Sequence, residues 1–234
     1  MDGQAVNAIA ALVEEKTNRF DVDGRVFIRD GGFKEVVPKM YARIDFDDLE
    51  GFVDFVNKID ASDPTYEGGY FRILVTSYDK VTLMFCRDGV AHVIAVAKSD
   101  IDQFRFNEYM PIEEFRINLI TKFSKGGDIA ALMKYTSKIT DKTEVTLGDD
   151  GVSMKMTISE SSSGAVVDEK SFSSELSLHA RRTFSEIAPV VSTYLLRIKK
   201  QSAALFDYSD GTWKLESSRL IRQYLSDNCT IDTE

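Results

Sequence analysis

Three short runs of apolar residues follow one another in the first half of the chain, and their spacing predicts a β-meander. The runs are Tyr70–Thr76, Val81–Cys86 and Ala91–Lys98. Asp88-Gly89 lies between the second and third runs, and this dipeptide is typical of a two-residue hairpin turn. Because Val81–Cys86 is apolar on both faces, we expect it to be a central strand that is covered from both sides.

The second half of the chain carries a further series of predicted strands. Residues 152–158 alternate between apolar and polar side chains, which is typical of a strand with one face toward water. The predicted strands of this half are Val145–Leu147, Val152–Ile158, Phe172–Leu178, Tyr194–Ile198 and Ala203–Tyr208. Nearer the start of the chain, Arg25–Arg29 and Met40–Ile44 are shorter candidates.

Apolar residues at helical spacing predict helices among these strands. One helix begins after Asp47, which forms a capping-box pattern with Glu50, and another begins at Pro111. Both are expected to cover the meander. The apolar stripe of the first consists of Leu49, Phe52, Val53, Val56 and Ile59. The remaining predicted helices are Ala5–Glu15, Asp128–Lys134 and Leu215–Leu225.

Hairpins and separate amphipathic helices indicate the α+β class, with mainly antiparallel sheets packed against several helices. A chain of 234 residues with 43% hydrophobic residues is long enough to bury a core. We expect a single domain over residues 1–234. An alternative is two subdomains, a helix-and-meander half at 1–125 and an antiparallel-strand half with a C-terminal helix at 140–234.

Composition and charge narrow the function classes. The net charge of −9 argues against binding to nucleic-acid phosphates or an anionic membrane, because both need clustered Lys and Arg. No apolar run approaches the length of a membrane span, which is about 20 residues. The start of the chain also lacks a secretory-signal pattern. Cys86 and Cys229 form neither a disulfide framework nor a zinc site. We therefore expect a cytoplasmic protein.

Asp45, Asp47, Asp48 and Glu50 form the densest group of carboxylates. Such ligands hold Mg²⁺ for phosphate chemistry when other ligands converge on them. Their position at a predicted helix start offers another interpretation, because acidic residues there accept hydrogen bonds from free N–H groups and suit the helix dipole. We favour the helix-start interpretation and keep Asp45, Asp47 and Asp48 as an alternative metal site.

Arg181-Arg182, which follows His179, is a candidate anion-binding spot. Ser124–Asp128 precedes a predicted helix, as phosphate loops do. It lacks the P-loop spacing, however, and its aspartate would repel a phosphate. We interpret that segment as a helix–helix connection.

His92 alternates with Ile94 and Val96, which predicts that it shares an apolar strand face with them. Catalysis by a pair formed from Cys86 and His92 stays open, although buried strand residues rarely present a reactive thiolate. Trp213, the one tryptophan, is interpreted as a core residue. These residues predict no catalytic group and no cofactor.

Three stretches carry a resemblance to a known family through the order of their elements. The first is 36–43 with 47–57, the second is the meander with 110–115 and its helix, and the third is 172–178, Pro189 and 194–198 with one more strand and a closing helix. In this order they resemble the YfdQ-like proteins of phages and prophages, a family of unknown function. The resemblance implies a phage or prophage origin and an intracellular accessory role, and it assigns no functional residues.

These observations lead us to expect a non-enzymatic phage accessory protein that acts by homo-oligomeric self-assembly, as a ring or cage, and by binding a host or phage protein. Exposed strand edges favour this hypothesis because they need a partner or a cover. One alternative is a Mg²⁺-dependent nucleotide- or phosphate-binding protein or enzyme that uses Asp45–Glu50 or Arg181-Arg182. A further alternative is an acidic decoy that blocks a host nucleic-acid-binding protein.

Overall fold

The computed structural model describes residues 19–22, 25–29, 33–35, 42–139, 143–149, 154–160, 166–231 and 233. Backbone contacts divide the chain into two compact units, Met1–Ala42 with Ser62–Glu67 and Arg43–Ala61 with Gly68–Glu234. These bounds differ from those of the two halves that the sequence suggested. The predicted helix Ala5–Glu15 lies outside the described residues.

The smaller unit contains a three-stranded antiparallel sheet. Its strands β1 (Arg19–Val22), β2 (Arg25–Arg29) and β3 (Phe33–Glu35) pair in chain order. The strand predicted over Arg25–Arg29 is confirmed. A short 3₁₀ helix, Pro64–Tyr66, belongs to the same unit.

The larger unit begins with the predicted meander. Its strands β4 (Ile44–Phe46), β5 (Tyr70–Ser77), β6 (Lys80–Arg87) and β7 (Val90–Lys98) form a sheet in the order β4-β7-β6-β5. The meander and the interior position of β6 are therefore confirmed, and β4 joins the edge parallel to β7. Asp88 and Gly89 have φ angles of 53° and 78°, as a type I′ hairpin turn requires.

Two further sheets follow in this unit. Their strands are β8 (Met110–Pro111), β9 (Thr143–Asp149), β10 (Met154–Glu160), β11 (Val166–Phe172), β12 (Glu175–His179), β13 (Val191–Lys199) and β14 (Ser202–Asp207). Strands β9 to β11 form one antiparallel sheet, and the other has the order β12-β13-β14-β8. The fold is α+β, as predicted, with two mainly antiparallel four-stranded sheets.

The single strand predicted over Phe172–Leu178 is wrong, because the chain changes sheets within it. Strand β11 ends at Phe172 and pairs with β10, whereas β12 begins at Glu175 and pairs with β13. Ser174 between them is buried and its carbonyl accepts a hydrogen bond from Leu196 N at 2.7 Å. Phe172, Leu176 and Leu178 keep the same period of two across the buried Ser174, so the pattern does not reveal the change of partner.

Four α-helices lie in the described part of the larger unit: α1 (Leu49–Asn57), α2 (Ile112–Lys122), α3 (Ile129–Thr136) and α4 (Thr212–Asn228). Helix α1 packs on the first sheet, where Phe46 contacts Phe52 with ring centroids 6.1 Å apart. Helix α4 contacts β5, and the side chain of Asn57 donates a hydrogen bond to Asn228 O at 2.8 Å. Both helices therefore lie on the same face of that sheet.

The helix that begins after Pro111 does not cover the meander as predicted. Helix α2 contacts β14 and β8 of the second four-stranded sheet. Phe115 and Leu119 of this helix are fully buried in a core cluster with Leu178, Tyr194 and Leu205 of that sheet. This core takes residues from both of the halves that the sequence suggested.

The predicted cover over both faces of β6 is only partly present. Val81, Leu83 and Phe85 are fully buried on the helix-facing side. On the other face Val93, which pairs with Met84, is 42% exposed. None of the described helices is long and apolar enough to cross a membrane.

Candidate functional site

A pocket of about 490 Å³ lies beside the C-terminal end of α2, between the loop after β7 and the segment that joins β12 to β13. Cations, hydroxyl groups and apolar side chains share its wall. The cationic residues are Lys122, Arg181 and Arg182, the hydroxyl-bearing ones are Thr121, Ser124, Thr183 and Ser185, and the apolar ones include Ile101, Phe184, Ile187 and Pro189.

Backbone pairing holds two of these cationic residues side by side. Arg181 N donates a hydrogen bond to Lys122 O at 2.8 Å, and Ser124 N donates to His179 O at 2.9 Å. These bonds surround a two-residue antiparallel bridge between Phe123 and Ala180. The end of α2 and the start of the β12–β13 connection therefore form one wall of the pocket.

Arg181 is exposed, and its guanidinium makes no hydrogen bond or ion pair with any described residue. Lys122 is different, because its side chain is only 16% exposed and its ammonium pairs with the carboxylate of Asp102. Asp102 also lines the pocket, and its side chain is 84% exposed. The wall thus presents one free guanidinium and one ammonium, on a largely buried side chain, that already has a carboxylate partner.

Arg182 turns away from its neighbour and into the interior, where its side chain is 5% exposed. Its guanidinium carbon lies 4.1 Å from the ring centroid of Phe106 and 4.3 Å from that of Trp213. Nη1 lies 3.0 Å from Asp207 Oδ2, but the guanidinium nitrogens make no hydrogen bond of good geometry. This aromatic sandwich with one ion pair fixes the wall behind Arg181.

The carboxylate of Asp207 stays ionised because of its neighbours. Burial alone would raise the pKa of this carboxyl, but two hydrogen bonds from Ser209 and the charge of Arg182 outweigh burial and lower it. Burial also raises the pKa of Tyr194, beside the same guanidinium, to about 12. The guanidinium of Arg182 and the carboxylate of Asp207 therefore form an ion pair that is surrounded by uncharged aromatic rings.

The hydroxyl groups of the pocket already donate their hydrogens within the protein. Thr121 Oγ1 donates to Ile117 O at 3.0 Å, and Ser185 Oγ donates to Glu186 Oε2 at 2.9 Å. Thr183 Oγ1 donates to Tyr78 O. The charged donors that remain for a ligand are the guanidinium of Arg181 and the ammonium of Lys122.

Comparison of the chain with protein-family models, with curated proteins and with solved structures finds no match. The resemblance to the YfdQ-like proteins therefore stays a prediction. The pocket has to be interpreted from its own residues.

The carboxylates proposed as an alternative metal site take separate roles. Asp48 caps α1 by accepting a hydrogen bond from Gly51 N at 2.6 Å, and Asp45 pairs with Arg43 at 2.9 Å. Asp47 is exposed beside them. No group of three or more His, Cys, Asp or Glu side chains in the described part of the chain has the geometry of a metal site.

The structure separates Cys86 from His92. A register shift after Leu83 makes Ile94 an extra residue in β7, so that His92 pairs with Phe85 and Cys86 pairs with Ala91. His92 therefore lies on the same face as Phe85, opposite to Cys86, and the prediction that it shares a face with Val96, which pairs with Thr82, is wrong. The pair cannot act as a thiolate and its base.

Sequence reasoning identified Arg181 but missed Lys122 and Asp102. Lys122 is the last residue of α2, where a basic residue is common because it suits the helix dipole. Asp102 lies in an irregular loop with no motif. Their approach depends on the tertiary packing of that loop against α2, so no local signal could have revealed it.

Proposed function

We propose that this protein binds a small anionic molecule in the pocket, with Lys122 and Arg181 as its charged donors. The free guanidinium of Arg181 on the same pocket wall as the largely buried side chain of Lys122 is the observation that supports this proposal. A guanidinium matches the two oxygens of a carboxylate or phosphate, and an ammonium adds a point charge. The chemistry of the site favours an oxyanion.

The apolar part of the wall indicates the rest of the ligand. Phe184 and Ile187 are buried side chains of the pocket wall, and Ile101 and Pro189 are partly buried. Ligand pockets are usually mostly apolar, with a few polar groups that fix orientation. We propose a ligand with an oxyanion at one end and an apolar body.

Binding, rather than catalysis, is the role we propose. No histidine or cysteine lines the pocket among the residues that the structure describes. The carboxylate of Asp102 is engaged with Lys122 and largely exposed, which gives it little of the burial that tunes a general base.

Binding of inorganic phosphate, sulfate and acetate tests the proposal. Calorimetry measures affinity, and the fluorescence of Trp213, which contacts the neighbour of Arg181, gives a second signal. Arg181→Ala and Lys122→Ala should each weaken binding about tenfold or more, because a hydrogen bond to a charged group contributes about 1.5–3 kcal/mol.

Arg219→Ala is the matched control, because it removes an arginine that is 78% exposed on α4 and lies outside the pocket wall. It should leave the affinity unchanged. The proposal fails if the protein binds none of the three anions, or if Arg219→Ala weakens binding as much as Arg181→Ala does.

Self-association is a second proposal, supported by an apolar patch on the first sheet. The open face of the hairpin end carries Tyr70, Ala91 and Val93 as exposed residues, next to the half-buried Met84 and Cys86. Tyr70 is 63% exposed and Val93 is 42% exposed. Contiguous exposed apolar side chains mark contact surfaces more often than isolated ones do. A phage origin and a decoy role stay predictions.

A further inference from the structure

We propose that Asp102 is a built-in competitor of the ligand: it occupies Lys122 until an oxyanion takes its place. The inference rests on the proposed anion pocket and concerns the regulation of that site. It also defines the ligand further, because the group that replaces Asp102 on the ammonium must itself be an oxyanion.

The asymmetry of the ion pair supports this inference. The side chain of Lys122 is 84% shielded, whereas that of Asp102 is 84% exposed, and both residues line the pocket. A lysine whose side chain is largely buried favours an anionic partner, since burying an unpaired charge is costly. The exposed carboxylate loses little when it is displaced, because water can solvate it at once.

The position of Arg181 favours the ligand over Asp102 as the partner of Lys122. Arg181, whose guanidinium is free, is the backbone neighbour of Lys122 on the same wall, because Arg181 N donates a hydrogen bond to Lys122 O at 2.8 Å. An oxyanion that moves onto Lys122 can also contact Arg181, whereas no hydrogen bond or ion pair joins Asp102 to Arg181 in the described structure. The ligand thus gains a second cation that the competitor lacks.

Removing the charge of the competitor should therefore tighten binding. We expect Asp102→Asn to raise the affinity for inorganic phosphate roughly two- to fivefold, the range that corresponds to a partly exposed ion pair. Asp100→Asn is the matched control, because it removes an exposed carboxylate from the same loop, outside the pocket wall. At about 0.15 M ionic strength, where charges more than about 8 Å apart are screened, this control should leave the affinity unchanged.

A double-mutant cycle tests whether the gain passes through Lys122. In a Lys122→Met background, Asp102→Asn should give no gain, because the ammonium for which the carboxylate competes has been removed. Thermal unfolding of each variant checks that the fold is intact.

The outcomes separate the two proposals. If the wild-type protein binds phosphate and Asp102→Asn fails to tighten it, or tightens it equally in the Lys122→Met background, the competitor inference is overturned and the pocket proposal stands. If the wild-type protein binds none of phosphate, sulfate and acetate, the pocket proposal itself fails and the inference fails with it.

Discussion

Two neighbouring aspartates, Asp47 and Asp48, show how finely position decides the role of a residue. The sequence pattern pairs Asp47 with Glu50 as a capping box, but the structure places the N-cap at Asp48, which has an extended backbone with φ −132° and ψ 166°. The residue three positions later is then Gly51, which has no side chain to complete the box. Of the two aspartates, Asp48 is the one whose side chain caps the helix.

This geometry predicts unequal effects of two similar substitutions. Asp48→Ala should lower the free energy of unfolding by about 1 kcal/mol, because it removes the acceptor for Gly51 N. Asp47→Ala removes an equal charge but no hydrogen bond, so it should lower the free energy of unfolding by less than half as much. Urea unfolding followed by circular dichroism measures both, and equal losses would show that charge alone matters there.

Arg181 and Arg182 form a second matched pair. Arg182→Met removes the buried guanidinium, leaves Asp207 without its ion-pair partner and loses the stacking on Phe106 and Trp213. Breaking such a pair should lower the free energy of unfolding by roughly 2–4 kcal/mol, less than for a fully buried pair because the Asp207 side chain is 25% exposed. Arg181→Met should change it by less than about 0.5 kcal/mol. A large loss at Arg181 would contradict the proposed separation of roles.

At the scale of elements, Glu186 joins the β12–β13 connection to α1. Its Oε1 accepts hydrogen bonds from Leu49 N at 2.6 Å and Glu50 N at 3.0 Å, and Ser185 donates to its other oxygen. Burial alone would raise the pKa of Glu186, but these hydrogen bonds, with one from its own backbone, lower it overall. The segment that lines the pocket is thereby attached to the helix of the first sheet.

The lowered pKa of Glu186 predicts a pH dependence of stability. A carboxyl whose pKa is lower in the folded state stabilises the fold above its unfolded pKa, about 4.3, and loses this contribution as the pH falls through the folded value. We therefore expect the wild-type protein to be more stable than Glu186→Gln at pH 7, with a difference that narrows below about pH 4. Urea unfolding at several pH values measures it. A difference that stays constant with pH would rule out this linkage.

The elements themselves were largely predictable, but their partners were not. The Asp88-Gly89 turn fixes its hairpin by local chemistry, and the apolar stripe of α1 requires a helix. No local feature of the sequence indicates which of the two four-stranded sheets α2 covers, because Phe115 and Leu119 would pack equally well on either one. The extra residue at Ile94, which turns His92 to the other face, leaves no signal in an apolar run. The candidate site was half predictable for the same reason: Arg181 lies in a basic doublet, whereas Asp102 reaches Lys122 only through folding.

At the scale of the whole molecule, the pocket contrasts with the overall charge. The chain carries a net charge of −9, yet Lys122 and Arg181 outnumber Asp102 at the pocket wall. The local excess of positive charge attracts anions over a short range, whereas the negative net charge repels them over a long range. Salt screens the long-range repulsion more strongly than the short-range attraction. Moderate salt should therefore weaken anion binding less than it would at a surface lysine.

The apolar patch of Tyr70, Ala91 and Val93 with Met84 and Cys86 predicts self-association. The native mass from size-exclusion chromatography with light scattering should exceed that of one chain at micromolar concentration. Replacing Tyr70 and Val93 together by Ser should lower it, because the patch loses its two largest exposed side chains. Ile120→Ser, which changes a residue that is 65% exposed on α2, should have no effect. A wild-type monomer would exclude the proposal.

The opposite directions of Arg181 and Arg182 have a consequence for how this segment can change in length. Adjacent positions here serve binding on one side and the core on the other. Inserting one residue directly before them would shift Arg182 into the buried position of Thr183. Deleting one would shift Arg181 into the buried position of Ala180. Either change places an arginine without the partner Asp207 in the interior. We therefore expect the segment to accept many substitutions at Arg181 but no single-residue insertion or deletion between Ala180 and Arg182.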